Sequence, residues 1–201
     1  MLGLAIHTSS PELGLALSNF KDTERNQVWA MGRELSAHLH TYLSDFLVPY
    51  RWRELTWLAV ALGPGGFTGT RIGVVAARTL AQQLNIPLFG ISSLAAIAAA
   101  QPQSREPLAV QLQAQRGQMF GGVYRWTGPT LITLQRDRVF TQESWRQHLQ
   151  EFTPCRCVKA EGGLAHTAPQ MLELALDQWQ AGQRPSWREV LPYYGQHPVE
   201  G

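Results

Sequence analysis

The chain has 201 residues, 44% of them hydrophobic, which is enough apolar surface for a sizeable core in one domain or two small lobes. Seventeen Lys and Arg against fifteen Asp and Glu leave a formal charge of +2, and no run of cations marks an RNA-binding arm. Cys155 and Cys157 are too few, and too close together, for a disulfide framework or a structural zinc site, so a reducing, cytoplasmic setting is expected.

Met1 leads straight into Leu2-Gly3-Leu4-Ala5-Ile6 with no cationic segment before it, which reads as a first strand and not a signal peptide. A second apolar run, Leu13 to Leu17, follows the turn-forming Ser9-Ser10-Pro11-Glu12, so the pair is expected to be a hairpin. An extended stretch is expected near Gln27 to Met31. A helix should follow from Ser36 to Val48, where Leu39, Tyr42, Leu43, Phe46 and Leu47 recur at helical spacing. Leu55 to Leu62 has the length of a buried strand and stops at Gly63-Pro64-Gly65-Gly66. Ile72, Val75, Ala76, Thr79, Leu80 and Leu84 set the next helix, with Asn85 as its stop. Leu88 to Ile91 returns as a strand, and Ser92-Ser93 caps an Ala-rich helix from Leu94 to about Gln101.

Gln103 to Pro107 reads as a boundary, dividing the chain into lobes 1–103 and 104–201. Beyond it Leu108 to Leu112, Gln118 to Arg125 and Leu131 to Val139 alternate as half-buried strands do, with Gly128-Pro129 as a turn. A short helix over residues 142–150, a strand from Cys155 to Ala160 and a helix from Pro169 to Gln180 complete the reading. The two thiols are expected to be one buried and one exposed, with no disulfide between them. No apolar stretch reaches the roughly 18–20 residues that cross a bilayer, so no membrane segment is expected. No internal repeat shows in the residues, although the strand-strand-strand-helix opening could recur at the level of the fold.

The segment Gly63-Pro64-Gly65-Gly66-Phe67-Thr68-Gly69-Thr70-Arg71-Ile72-Gly73 lies between a strand and a helix. Its glycines permit positive φ and close backbone approach, and the helix start behind them offers N–H groups to an anion. Gly63, Gly65, Gly66, Thr68 and Gly69 are therefore candidates for a nucleotide loop. A tight turn that packs a helix on a sheet explains the same glycines equally well. Neither a P-loop ending nor a dinucleotide-binding glycine array is present.

The whole string resembles the Gly-Pro-Gly-Ser/Gly-Phe-Thr-Gly-x-Arg-Ile-Gly signature of the TsaB (YeaZ) family. Leu4-Ala5-Ile6-His7-Thr8 is similar to that family's Leu-Ala-Ile-Asp-Thr opening, and Gly90-Ile91-Ser92-Ser93-Leu94 to its Gly-Val-Ser-Ser/Thr-Leu segment. Gln113-Ala114-Gln115-Arg116-Gly117-Gln118-Met119-Phe120 resembles its Asp-Ala-Arg-x-Gly-Glu-Val-Tyr segment with the acidic and aromatic positions changed. The likeness is firm over residues 1–126 and loose beyond, where Leu191-Pro192-Tyr193-Tyr194 meets Gly195 and Gln196 in place of the family's arginine.

The resemblance implies an α/β, actin-like ATPase (ASKHA, ribonuclease H-like) fold with two lobes, the second reduced. It implies a non-catalytic scaffold subunit, in the cytoplasm, that pairs with the catalytic paralogue TsaD. With the ATPase TsaE, that assembly transfers threonylcarbamoyl to adenosine 37 of tRNAs reading ANN codons. This chain would meet tRNA only indirectly. The same helices are implied to form homodimers. Carried onto this sequence, the partner interface is expected at His38, Leu39, Tyr42, Arg71, Gly73, Ala76, Ala77 and Leu80, where the small residues would let a partner helix approach closely.

Two departures bear on chemistry. His7 stands where ATPases of this superfamily carry an acidic residue, and Gln113 replaces a second Asp. Mg²⁺ prefers hard oxygen donors, so no catalytic residue and no metal site are expected, no cofactor is required, and nucleotide binding would at most be weak. His38 and His40 sit two apart on a helix and point about 200° from each other, unlike a metal-binding i, i+4 pair. Two other readings stay open: a small-molecule kinase or ATPase of the same fold using the glycine loop, and a self-associating structural protein.

Overall fold

The computed structural model describes residues 1–195; Gln196, one of the two residues at the family's arginine position, lies outside them. The first lobe opens with strands β1 (Gly3–His7), β2 (Glu12–Ser18) and β3 (Glu24–Ala30), helix α1 (Leu35–Leu47), strand β4 (Trp57–Gly63), helix α2 (Phe67–Leu84), strand β5 (Leu88–Ser92) and helix α3 (Ser93–Ala99). Its sheet runs β3-β2-β1-β4-β5, antiparallel across the first three strands and parallel from β1 to β4 to β5. Strand β1 is central and buried on both faces, which is why Leu4-Ala5-Ile6 reads as an uninterrupted apolar run.

The two faces differ in composition. Leu4, Ile6, Leu13, Leu15, Leu17, Leu58 and Val60 point toward α1 and α2, and α1 answers with Leu35, Leu39, Leu43, Phe46 and Leu47. Each of these leucines contributes roughly 1.5–3 kcal/mol by leaving water. The opposite face carries Ala5, Ala16, Ala59 and Ala61, flanked by Trp57, Phe89 and Ile91, under Met171, Leu172 and Ala175 of α5 (Ala168–Gln180). Small side chains there let that helix lie close to the strands. Cap chemistry sets the helix ends as read from the residues: Asn85 ends α2 at φ 53°, and Ser92 Oγ accepts from the Ala95 N–H at 3.0 Å to start α3.

The second lobe contains β6 (Leu108–Gln113), β7 (Met119–Thr127), β8 (Thr130–Phe140), α4 (Gln142–Leu149) and β9 (Arg156–Ala160). Its sheet order, β8-β7-β6-β9, repeats β3-β2-β1-β4 strand for strand, with β6 antiparallel to β7 and parallel to β9. The fold-level repeat is thus present without residue-level similarity, and the second sheet ends one strand short of the first. This mixed topology, doubled, is the actin-like, ribonuclease H-like arrangement. One face packs α3 against Leu108, Val110 and Tyr124; the other packs Trp145 of α4 against Ala109, Met119, Val123 and Phe140.

A division at residue 103 does not follow the lobes to the end of the chain. Helix α5 returns to the first sheet, and Val190 is buried among the first-lobe residues facing α1 and α2. The apolar face of α5 has its complement on β1, β2 and β4, which chain order alone does not reveal. Cys155 precedes β9 and is half-buried, Cys157 is exposed, and both are free thiols. Among the described residues no helix is long and apolar enough to cross a membrane.

Candidate functional site

Strand β4 ends at Gly63, with φ +94°, and only three residues separate it from the start of α2 at Phe67. Thr68 and Gly69, expected in a loop, therefore form the first helical turn. The glycines serve close packing. A Cβ on Gly65 would lie 2.1 Å from the Ser9 carbonyl oxygen, and one on Gly69 2.2 Å from that of Thr8. The Gly66 N–H donates to Ser9 O at 2.7 Å, and the Thr8 hydroxyl donates to Gly69 O at 2.8 Å. The start of α2 is thus fastened onto the β1–β2 turn. Gly63 leaves the candidate loop: it lies beneath the Tyr193 carbonyl, 2.9 Å from where its Cβ would be.

Gly65, Gly66, Thr68 and Gly69 do line a cleft of about 730 Å³ between the lobes. Ser9, Ser10, Arg33 and Ile72 join them from the first lobe, and Leu112, Gln113, Phe120 and Leu164 face them from the second. The second lobe is seated here by the Ala165 N–H, which donates to Ser10 Oγ at 3.3 Å, and by Gly14, where any Cβ would strike the Ala165 carbonyl at 2.0 Å. Arg33 is the one charged side chain among the described residues that line the cleft.

His7, at the end of β1, is fully buried. Its Nδ1 accepts from the Ser9 N–H at 3.3 Å, while Nε2 has no partner among the described residues. Burial pushes its pKa from 6.5 down to about 3, so the imidazole is neutral under ordinary conditions. Gln113 is exposed at the cleft rim, where its amide donates to the Ala114 and Gln118 carbonyls and closes the turn after β6. Neither position offers a carboxylate to a phosphate-bound cation.

A second concavity of about 370 Å³ lies between α1 and α2, lined by Ser36, Leu39, His40, Arg71, Ile72, Val75, Ala76 and Thr79. Of the expected interface, His38 and Arg71 are exposed, Tyr42 and Leu80 half-buried, and His38 Nε2 lies 3.4 Å from Glu34 one turn back. Leu39, Gly73, Ala76 and Ala77 are buried within their own lobe, Ala77 completely and Gly73 against the Thr8 hydroxyl. Gly73 and Ala77 therefore offer no free surface, while Leu39 and Ala76 reach only the floor of the concavity. The reason is helical phase: positions 73, 77 and 81 form the stripe that lies on the sheet, while 71, 75 and 79 face outward. The small residues bring α2 close to its own strands, and Val75, 53% exposed, is the apolar residue that the sequence reading missed as an outward contact.

Asp137 also escaped the reading, because Arg136-Asp137-Arg138 looks like a solvated strand edge. Its carboxylate accepts from the Ser92 and Tyr124 hydroxyls, and burial pushes both the Asp137 carboxyl and the Tyr124 phenol above their ordinary pKa.

The family model for TsaD, tRNA N6-adenosine threonylcarbamoyltransferase, matches residues 48–152. The tRNA threonylcarbamoyladenosine biosynthesis protein TsaB of Bacillus subtilis is 32% identical over 153 residues, 74% of this chain and 66% of that protein. TsaB of Buchnera aphidicola is 37% identical over 84 residues, 38% of this chain and 40% of its own length. The aligned stretches thus span slightly under two thirds and two fifths of these relatives. YeaZ from Pseudomonas aeruginosa superposes with a TM-score of 0.79 at 23% identity, covering 96% of this chain and 100% of that one. A second Pseudomonas aeruginosa structure, described as similar to peptidase YEAZ, gives 0.81 at 23% identity over 97% and 99%. These two likenesses show a shared fold.

Proposed function

Because the chain belongs to the TsaB (YeaZ) family, we propose that it serves tRNA threonylcarbamoyladenosine biosynthesis as a non-catalytic subunit that binds and supports a TsaD-type enzyme. The reaction served is threonylcarbamoylation of adenosine 37 in tRNAs reading ANN codons. A TsaE-type ATPase belongs to the wider assembly, and tRNA meets this chain only indirectly.

The observation that carries the non-catalytic reading is the chemistry of the cleft. Phosphoryl chemistry needs hard anionic oxygens to hold a cation beside the phosphates. Here the end of β1 presents a buried, neutral imidazole, and the corresponding second-lobe position an amide engaged in its own turn. The cleft retains room for weak nucleotide binding, with no cofactor required. The docking surface is the α1–α2 face, where Val75 stands exposed between Arg71 and Thr79 over a shallow groove. A homodimer through the same helices would compete with the partner.

Mixing the purified chain with the TsaD-type protein of the same source, with light scattering as the readout, tests this. A one-to-one complex is expected with wild type and its loss with Val75→Glu, a change at an exposed position that leaves the fold intact. Absence of any complex, or turnover of ATP by the isolated chain, would instead favour the kinase-like or self-associating readings.

A further inference from the structure

The chain beyond α5 passes from one lobe to the other, and its contacts bridge the two walls of the cleft. Val190 anchors the segment in the first-lobe core. The Tyr193 N–H donates to Leu62 O at 2.7 Å, next to Gly63, while its phenol donates to the Asp137 carbonyl on β8 at 2.8 Å. The Tyr193 ring meets Phe120 edge-on with centroids 6.5 Å apart, and Tyr194 packs on Phe67 at 4.4 Å. Phe67 and Phe120 line opposite walls of the cleft. Gly195, at φ +68°, closes the segment against the second lobe so tightly that a Cβ would lie 2.3 Å from Phe120 Cε1. Asp137 receives a second first-lobe group from the other direction, the Ser92 hydroxyl at the end of β5.

We propose that residues 190–195 are a strap that holds the two lobes at a set opening, with Tyr193 and Asp137 as its buckle, and so fix the width of the interlobe cleft. Widening the cleft moves Phe120 and β8 away from Phe67 and β4. That movement must break the Tyr193–Asp137 and Ser92–Asp137 hydrogen bonds and separate the Tyr193–Phe120 aromatic pair. Backbone bonding to Leu62 keeps the strap with the glycine segment when the lobes part. The device stands on contacts within this chain and holds whether or not the partner reading is right.

The test uses the full chain. Hydrogen exchange is followed for amides of residues 65–70 and 112–120 in wild type, Tyr193→Phe, which loses only the hydroxyl, and Tyr193→Ala/Tyr194→Ala. Amides of Leu4 to Ile6 in the central strand serve as the internal reference for global stability. In parallel, spin labels at Ser36→Cys and Gln115→Cys, both exposed and on opposite lobes, report the interlobe distance in a Cys155→Ala/Cys157→Ser background. We expect about fivefold faster exchange at both cleft walls in Tyr193→Phe, the loss of one ordinary hydrogen bond, with the reference unchanged. A broader and longer distance distribution is expected in the double variant. Exchange at wild-type rates, or an unaltered distance distribution, would overturn the proposal.

Discussion

Acid should unfold this protein through His7 before most of its carboxylates matter. The imidazole is fully buried, and its pKa falls from 6.5 in the unfolded chain to about 3 in the fold. Between those values the unfolded state binds the extra proton, so stability rises with pH and the contribution is complete above 6.5. Each pH unit is worth about 1.4 kcal/mol, so descending from pH 7 to pH 5 removes about 2 kcal/mol, and descending to pH 3 about 4 kcal/mol. Against a typical total of about 5–15 kcal/mol, that loss decides whether the fold survives mild acid. The assay is urea unfolding at pH 7, 6 and 5 of wild type and His7→Asn, whose side-chain oxygen can still accept from the Ser9 N–H but does not titrate. Asp137, Glu173 and Asp177, whose pKa values burial raises, contribute with the opposite sign, and they cancel in the difference between the two proteins. Wild type should lose about 2 kcal/mol more than the variant between pH 7 and pH 5. An equal loss in both would refute the burial argument for His7.

Three further outcomes follow from packing. Ala77→Glu, which forces a carboxylate into a fully buried site, should cost about 3–5 kcal/mol in thermal or urea unfolding, whereas Val75→Glu on the outer face should stay within about 0.5 kcal/mol of wild type. Gly65→Ala brings a Cβ to 2.1 Å from a backbone oxygen that cannot rotate away, so a loss of about 1–3 kcal/mol is expected; an unchanged urea midpoint would show that the β1–β2 turn yields freely. Ser92→Ala removes both the α3 cap and a hydroxyl held by Asp137, and calorimetry should register about 1–2 kcal/mol of destabilisation.

Much of the first lobe was legible because its signals are local. The Leu35-Leu39-Leu43 spacing marks a helix whatever surrounds it, Asn85 can adopt the left-handed cap, and Ser92 can accept the first-turn N–H. His7 and Gln113 were identifiable as departures because charge and donor type are written in the residue itself. The outward face of α2 was only half legible. Helix α2 carries two stripes that both read as apolar, Gly73-Ala77-Ala81 and Ile72-Val75-Thr79, and periodicity does not say which one meets the sheet.

That choice belonged to the tertiary structure: Thr8 leaves no room for a side chain at Gly73, so the stripe through Gly73 and Ala77 meets the sheet and Val75 is turned outward. The same holds for α5, whose amphipathic pattern was plain but whose partner sheet lies more than a hundred residues earlier. Ser92, Tyr124, Asp137 and Tyr193 become one polar cluster only when two lobes and the end of the chain converge. Sequence determined which segments are strands and helices and that His7 and Gln113 stand at the ends of β1 and β6, since propensity, caps and charge are properties of neighbouring residues. Which faces touch, and which polar groups are buried together, depended on contacts between distant segments, and those exist only once the chain has folded.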